Sequence, residues 1–179
     1  MNGRVIGSLT GRDIRPTSSK VRQAIFNIIG NDISGYCVID IFAGSGIMGI
    51  EALSRGAAWA VFIDNSNRSL SLIKKNLEIC GLSSKGYLIK RDITEGLPSH
   101  EKIKQGSIDF IFIDPPYGKD IIPGVLESVV KSSIMADDSY IVTESMKHDS
   151  LPKNVGDFFL NKTRLYGETK IDIYSKETE

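Results

Sequence analysis

Residues 36–56 read YCVIDIFAGSGIMGIEALSRG, and the hydrophobic period changes within them. Val38, Ile39, Ile41 and Phe42 make a short, largely β-branched apolar run, the composition of a strand buried on both faces. The run stops at Ala43-Gly44-Ser45-Gly46. Ile47, Ile50, Leu53 and Ser54 then recur at helical spacing until Gly56 closes the pattern. Strand, glycine turn and helix form the first half of a βαβ unit. Gly44, Gly46 and Gly49 fit G-x-G-x-x-G, which permits a tight turn, close approach of a ligand to bare backbone, and close packing of helix on strand. The helix N-terminus turns N–H groups and a partial positive charge toward whatever lies in the turn. Such a motif can also be only a turn, so the rest of the chain decides its meaning.

Outward from this stretch, strands and helices alternate. On the N-terminal side, Thr17 or Ser18 caps a helix whose apolar positions are Val21, Ala24, Ile25, Ile28 and Ile29, ended by Gly30. Before it, Arg4 to Ile14 carries Gly3, Gly7 and Gly11 around short apolar pairs, the pattern of a small hairpin. On the C-terminal side, Trp59 to Asp64 is a second buried strand. Ser66 then caps a helix with Leu70, Ile73, Leu77 and Cys80 on one face, stopped by Gly81. Tyr87–Ile89, Ile108–Ile113 and Tyr140–Thr143 are further strands, and Val125, Leu126, Val129 and Val130 mark a helix between the last two. Phe158 to Leu165 and Ile171 to Tyr174, joined across Tyr166-Gly167-Glu168-Thr169, close the chain as an antiparallel hairpin. The pattern predicts an α/β sheet, mostly parallel with an antiparallel end. It divides into an N-terminal basic hairpin and helix over 1–30 and a main domain over 31–179.

Composition narrows the function. The 179 residues suffice for one domain with a core, and 41% hydrophobic with 25% charged residues is ordinary globular usage. No apolar run reaches membrane-span length and no signal peptide is expected. Cys37 and Cys80 form no C-x-x-C, and His100 and His148 are the only histidines. Neither a disulfide framework nor a metal site is expected, and the cytoplasm is the expected compartment. Net charge is zero, yet Arg4, Arg12, Arg15, Lys20 and Arg22 stand against Asp13 alone in the first 22 residues. That local surplus is either a solvated arm or an electrostatic footprint for phosphates.

Ligands of open α/β sheets bind beyond the carboxyl ends of the strands, and four such ends carry acids: Asp40, Asp64, Asp92 and Asp114. Asp64 follows Gly44 by 20 positions, the spacing that sets a carboxylate against a ribose diol. Asp92 either caps a turn begun at Ile93 or accepts from an adenine amino group. Asp114-Pro115-Pro116-Tyr117 discriminates further. Two consecutive prolines donate no N–H, so the loop keeps carbonyls that want donors from elsewhere. The Asp114 carboxylate and the Pro115 carbonyl can each accept one hydrogen of an sp² amine, and Tyr117 offers a face for a heteroaromatic base.

The runs DIFAGSGIMGIEALSRGA, VFID and IDFIFIDPPYGK resemble S-adenosylmethionine-dependent methyltransferases of exocyclic amino nitrogens. RPTSSKVRQAIFNII, EALSRGA and YGETKIDIY are similar, more closely, to the RsmD family, which methylates N2 of a guanine in 16S ribosomal RNA. The resemblance spans nearly the whole chain. It implies a class I methyltransferase fold with a Rossmann-like sheet and S-adenosylmethionine as cofactor. It implies cofactor contacts at Asp40, Phe42, Gly44, Ser45, Gly46, Asp64, Asn65, Asp92 and Ile93, and a catalytic loop of Asp114, Pro115, Pro116 and Tyr117. It implies an RNA-facing set of Arg4, Arg12, Arg15, Lys20, Arg22 and Lys119. The expected partner is 16S rRNA within an assembling or assembled small ribosomal subunit, met by a monomer with no membrane association. Two places depart from the family: the segment from Gly7 to Arg15 is shorter, and Asn65 stands where a second acid or a lysine is common. Rival readings are methyl transfer to adenine N6 or to a protein glutamine, and a non-catalytic ribosome-assembly factor. A nicotinamide dehydrogenase would share the glycines and Asp64 but leaves Asp-Pro-Pro-Tyr without a use.

Overall fold

The computed structural model describes residues 18–99, 103, 107–116 and 120–176. Its elements in chain order are α1 (Ser19–Ile29), β1 (Cys37–Ile41), α2 (Ile47–Ser54), β2 (Trp59–Asp64), α3 (Asn67–Cys80), β3 (Gly86–Lys90), β4 (Ile108–Ile113), α4 (Ile122–Lys131), β5 (Met135–Met146), β6 (Asn154–Val155), β7 (Phe158–Tyr166) and β8 (Thr169–Lys176). The eight strands form one sheet in the order β3-β2-β1-β4-β5-β8-β7-β6. The five strands from β3 to β5 are parallel; β8, β7 and β6 continue the sheet antiparallel.

Helix boundaries follow local chemistry. The Ser18 hydroxyl accepts from the Val21 N–H at 3.2 Å to open α1, and Gly30, at φ 115°, ends it. Ser66 opens α3 in the same way through the Ser69 N–H, and Gly81 closes it in the left-handed conformation.

Because strand residues alternate between faces, the sheet has two cores. Val38, Phe62, Phe110, Phe112 and Val142 pack under α1, α2 and α3. Ile39, Ile41, Val61, Ile63, Ile111 and Ile113 pack on α4 and on Ile93 and Ile103. Helix α1 buries Val21, Ile25, Phe26 and Ile29 in the first of these cores. Arg22 pairs with Glu51 at 3.4 Å and ties α1 to α2, while Arg55 pairs with the same Glu51 at 2.9 Å from the end of α2.

Two elements extend past the sequence pattern. Strand β5 runs Met135–Met146 rather than Tyr140–Thr143, because the ladder to β4 shifts between Ile108↔Met135 and Phe110↔Tyr140 and absorbs the mostly polar stretch Ala136-Asp137-Asp138-Ser139 as an irregularity. Its far end, Glu144 to Met146, is held by β8. The two-residue β6 is too short to show a period. The hairpin expected over Arg4 to Ile14 lies outside the described residues.

Gly49 shows why the third glycine is needed. A Cβ there would lie 2.4 Å from the ring of fully buried Phe62 on β2. Gly49→Ala gains about 1 kcal/mol of helix propensity but overpacks the α2–β2 contact at a cost of about 1–3 kcal/mol, and more where the neighbour is a fixed ring. The expected net result is a lower urea midpoint with an unchanged m-value. A midpoint at or above that of the parent would show that α2 does not press on β2 as described.

Candidate active site

The chain leaves β1, builds β2 and β3 on one side of it, and returns to place β4 on the other. The carboxyl ends of β1 and β4 therefore flank the point where strand order reverses, the position at which open α/β sheets bind ligands. The parallel ladders set the depths of these ends: Ile41 pairs with Ile63 on β2 and with Ile113 on β4. Beyond them, the Ala43 N–H donates to the Ile63 carbonyl at 3.1 Å, and the Asp114 N–H makes a long bond to the Ile41 carbonyl at 3.4 Å.

The turn after β1 is held from three sides. Phe42 takes φ 60° without being glycine, a strained conformation costing on the order of 1 kcal/mol; Gly44 and Gly46 follow at 55° and 75°. From below, buried Asp40 accepts the Gly49 N–H on Oδ2 at 3.0 Å. From β2, Asp64 accepts the Gly44 N–H on Oδ2 at 2.9 Å and the Ser66 N–H on Oδ1 at 2.8 Å. From α3, fully buried Asn76 donates its amide to the Ser45 carbonyl at 2.9 Å. Asn76 was not singled out in the sequence. An asparagine inside an amphipathic helix is its only trace, and only the fold shows which carbonyl it serves.

Asp92 begins the short turn Ile93–Glu95 by accepting from the Thr94 N–H at 3.0 Å and the Thr94 hydroxyl at 2.7 Å. The Arg91 N–H bonds the Asp64 carbonyl at 3.1 Å, so this corner adjoins the end of β2. Ile93 is buried and Asn65 exposed. After β4, Asp114 is half-buried, Pro115 buried and Pro116 exposed. The two prolines line a cleft of about 410 Å³ whose far wall is Glu144 and Ser145 at the end of β5, with Ile122 and Asp149 at its rim. Among the described residues, no cluster of His, Cys, Asp or Glu could hold a metal ion, and no helix is long and apolar enough to cross a membrane.

The structure thus gathers Asp40, Phe42, Gly44, Ser45, Gly46 and Asp64 at one corner and sets Asp114, Pro115 and Pro116 at the next. Of the expected RNA-facing residues, Lys20 is exposed on α1, whereas Arg22 is engaged with Glu51. Tyr117, Lys119, Arg4, Arg12 and Arg15 lie outside the described residues.

The family model described as Conserved hypothetical protein 95 matches residues 1–175. The chain belongs to this family. It is 34% identical, over 97% of its length and 94% of the other, to a Bacillus subtilis protein, YlbH, whose name carries a provisional assignment as an rRNA methyltransferase. It is 30% identical, over 97% of its length and 88% of the other, to Ribosomal RNA small subunit methyltransferase D of Buchnera aphidicola. Its fold superposes with TM-score 0.66 on an RNA methyltransferase from Salinibacter ruber, solved in complex with S-adenosyl-L-homocysteine, at 14% identity over 92% of this chain and 95% of that one. Family membership agrees with the RsmD resemblance of the motifs, and the shared fold with the class I methyltransferase sheet expected from them.

Burial lifts the Asp40 carboxyl to about 8, against the lowering effect of the Gly49 N–H, with the nearby Asp64 charge adding to the rise. Its ordinary value is 3.8, so the folded chain holds one more proton than the unfolded chain between these two values. This contribution to stability is complete below about pH 4 and is lost as pH rises toward about 8. Asp40→Asn keeps an acceptor for Gly49 and carries no proton to lose. Its urea midpoint is expected to fall less than that of the parent between about pH 5 and about pH 8. Equal declines in the two proteins would mean that Asp40 is charged in the fold.

Proposed function

We propose that this enzyme transfers a methyl group from S-adenosylmethionine to the exocyclic N2 of a guanine in 16S ribosomal RNA. The observation that carries the reading is the adjacency of two corners on neighbouring strands: the glycine turn after β1, and Asp114-Pro115 after β4, joined by the Asp114 N–H on the Ile41 carbonyl. The names of the Buchnera relative and of the Salinibacter neighbour support rRNA methylation and the cofactor respectively.

The residues at the first corner fit the cofactor. Gly44 and Gly46 present backbone without side chains. Each oxygen of Asp64 accepts one backbone N–H and retains capacity for a hydroxyl of a ribose diol. In this reading Asp92 and Ile93, which follow β3, serve the adenine side, Asn65 the ribose, and Asp40, Phe42 and Ser45 the methionine end along the turn. When bound, the cofactor supplies an electrophilic methyl group on a sulfonium.

The chain's own work is done on the amine. Guanine N2 is a poor nucleophile because its lone pair is shared with the ring. The Asp114 carboxylate and the Pro115 carbonyl accept its two hydrogens, turn the lone pair toward the first corner, and stabilise the positive charge that grows on nitrogen. The proton departs only after the nitrogen has become cationic and strongly acidic, so an ordinary carboxylate suffices. No residue needs to form a covalent intermediate. The base must leave its stack at a cost of a few kcal/mol.

We further propose that the chain acts in the cytoplasm, as a monomer, on 16S rRNA within an assembling or assembled small ribosomal subunit. Methyl transfer to isolated small-subunit particles, read by nucleoside mass spectrometry, is expected to give N2-methylguanosine. N6-methyladenosine, methylated protein glutamine, or no product would each support a rival reading instead. Asp114→Ala is expected to abolish this turnover while cofactor affinity stays within severalfold; near-normal turnover would remove Asp114 from the chemistry. Replacing Arg12, Arg15 and Lys20 together is expected to weaken RNA binding and reduce its salt dependence. Arg22 is left in place because it ties α1 to α2. An unchanged salt slope would take the N-terminal segment out of the RNA interface.

A further inference from the structure

We infer that Glu144, with Ser145, reads the Watson–Crick edge of the target base and sets the preference for guanine. The inference rests on the reading of the site as a guanine-N2 methyltransferase. Buried polar groups are normally bonded or put to use, and β5 buries three in a row before its last residue, Met146: Thr143, Glu144 and Ser145 are 0, 4 and 2% exposed. Ile113 pairs with Thr143, so one step further in register Glu144 lies opposite Asp114, about one strand spacing (~4.8 Å) away. Glu144 and Ser145 line the same cleft as Pro115 and Pro116. Ser145 lines this cleft, and its hydroxyl is buried with no hydrogen-bond partner among the described residues, so a polar ligand there could satisfy it.

The chemistry selects among bases. Guanine presents, in sequence along one edge, two donors (the N2 amine and N1–H) and one acceptor, O6. With N2 held by Asp114 and the Pro115 carbonyl, the neighbouring carboxylate of Glu144 meets N1–H as an acceptor, and the Ser145 hydroxyl can donate to O6. Adenine with its amine in the same place would turn the N1 lone pair toward Glu144, two acceptors facing one another. Such a pair is left unbonded in a buried site, and a site built to bond a donor rejects the analogue that lacks it.

The test uses small-subunit particles reconstituted with RNA that carries either guanosine or 2-aminopurine riboside at the position methylated by the parent enzyme. 2-Aminopurine keeps the N2 amine but has a lone pair at N1 and no O6. The parent is expected to prefer guanosine in kcat/KM by about 10- to 100-fold or more. Glu144→Gln, whose amide can donate to that lone pair, is expected to narrow the preference at least about tenfold. Ser145→Ala should slow methylation of guanosine severalfold and leave that of 2-aminopurine unchanged. Each ratio is taken within one enzyme preparation, so a partly unfolded variant does not distort it, and calorimetric binding of S-adenosylhomocysteine should be unaltered. An unchanged ratio in Glu144→Gln, with the parent forming N2-methylguanosine, overturns this inference alone. Failure of the parent to form N2-methylguanosine removes the underlying reading and this inference with it.

Discussion

The parallel pairing of β1 with both β2 and β4 is the constraint on which the site depends. Because Ile41 is in register with Ile63 on one side and Ile113 on the other, the residues that leave those three strands emerge at one level. The glycine turn, the Asp64 carboxylate and the Asp114 loop are all consequences of that alignment. A slip of one residue in either ladder would turn Asp40 into the opposite core and carry Ile39 and Ile41 out of theirs. Two apolar cores, one under α1 to α3 and one under α4, thus fix the relative positions of polar groups that never touch each other in sequence.

The corner after β1 shows how the fold keeps an unfavourable arrangement in place. Phe42 sits in a left-handed conformation and Asp40 is buried beneath the turn, and each costs free energy. They persist because the surroundings over-determine them: Gly49 gives its N–H to Asp40, Asp64 takes that of Gly44, and Asn76 holds the Ser45 carbonyl. Rigid backbone of this kind serves a reaction whose rate comes chiefly from placing two groups in line. The opposite wall is built differently. There the C-terminal part of β5 buries Glu144 and Ser145, gripped by β8 through Glu144↔Ile171 and Ser145↔Lys170, so the antiparallel hairpin supports the cleft as well as closing the sheet.

Much of the arrangement was legible because local signals agreed with one another. Ser18, Gly30, Ser66 and Gly81 bounded α1 and α3 where the capping rules place them, and Ile47 to Ser54 formed the helix that its period required. The strand-end acids Asp64 and Asp114 could be named because a carboxylate after an apolar run is conspicuous. What escaped notice depends on contacts between distant segments. Asn76 faces a carbonyl 31 positions away, the strain at Phe42 has no sequence marker, and the pairing of Arg22 with Glu51 joins residues 29 positions apart. Glu144 and Ser145 lie past Tyr140–Thr143, the strand the sequence pattern marks, since hydrophobic period cannot tell a solvated terminus from a buried one. The sequence leaves Asp92 open between cap and ligand; the structure shows its carboxylate bonded to Thr94.

The claim that both corners serve one reaction is tested most directly by a crystal structure with a bisubstrate compound, in which a short linker joins the adenosyl group to N2 of guanosine. A single molecule is expected to span the site, its ribose on Asp64, its linker over Ala43 to Gly46, and its N2 against Asp114 and the Pro115 carbonyl. A compound ordered only in its adenosyl half, or one whose guanine lies away from the end of β4, would contradict it.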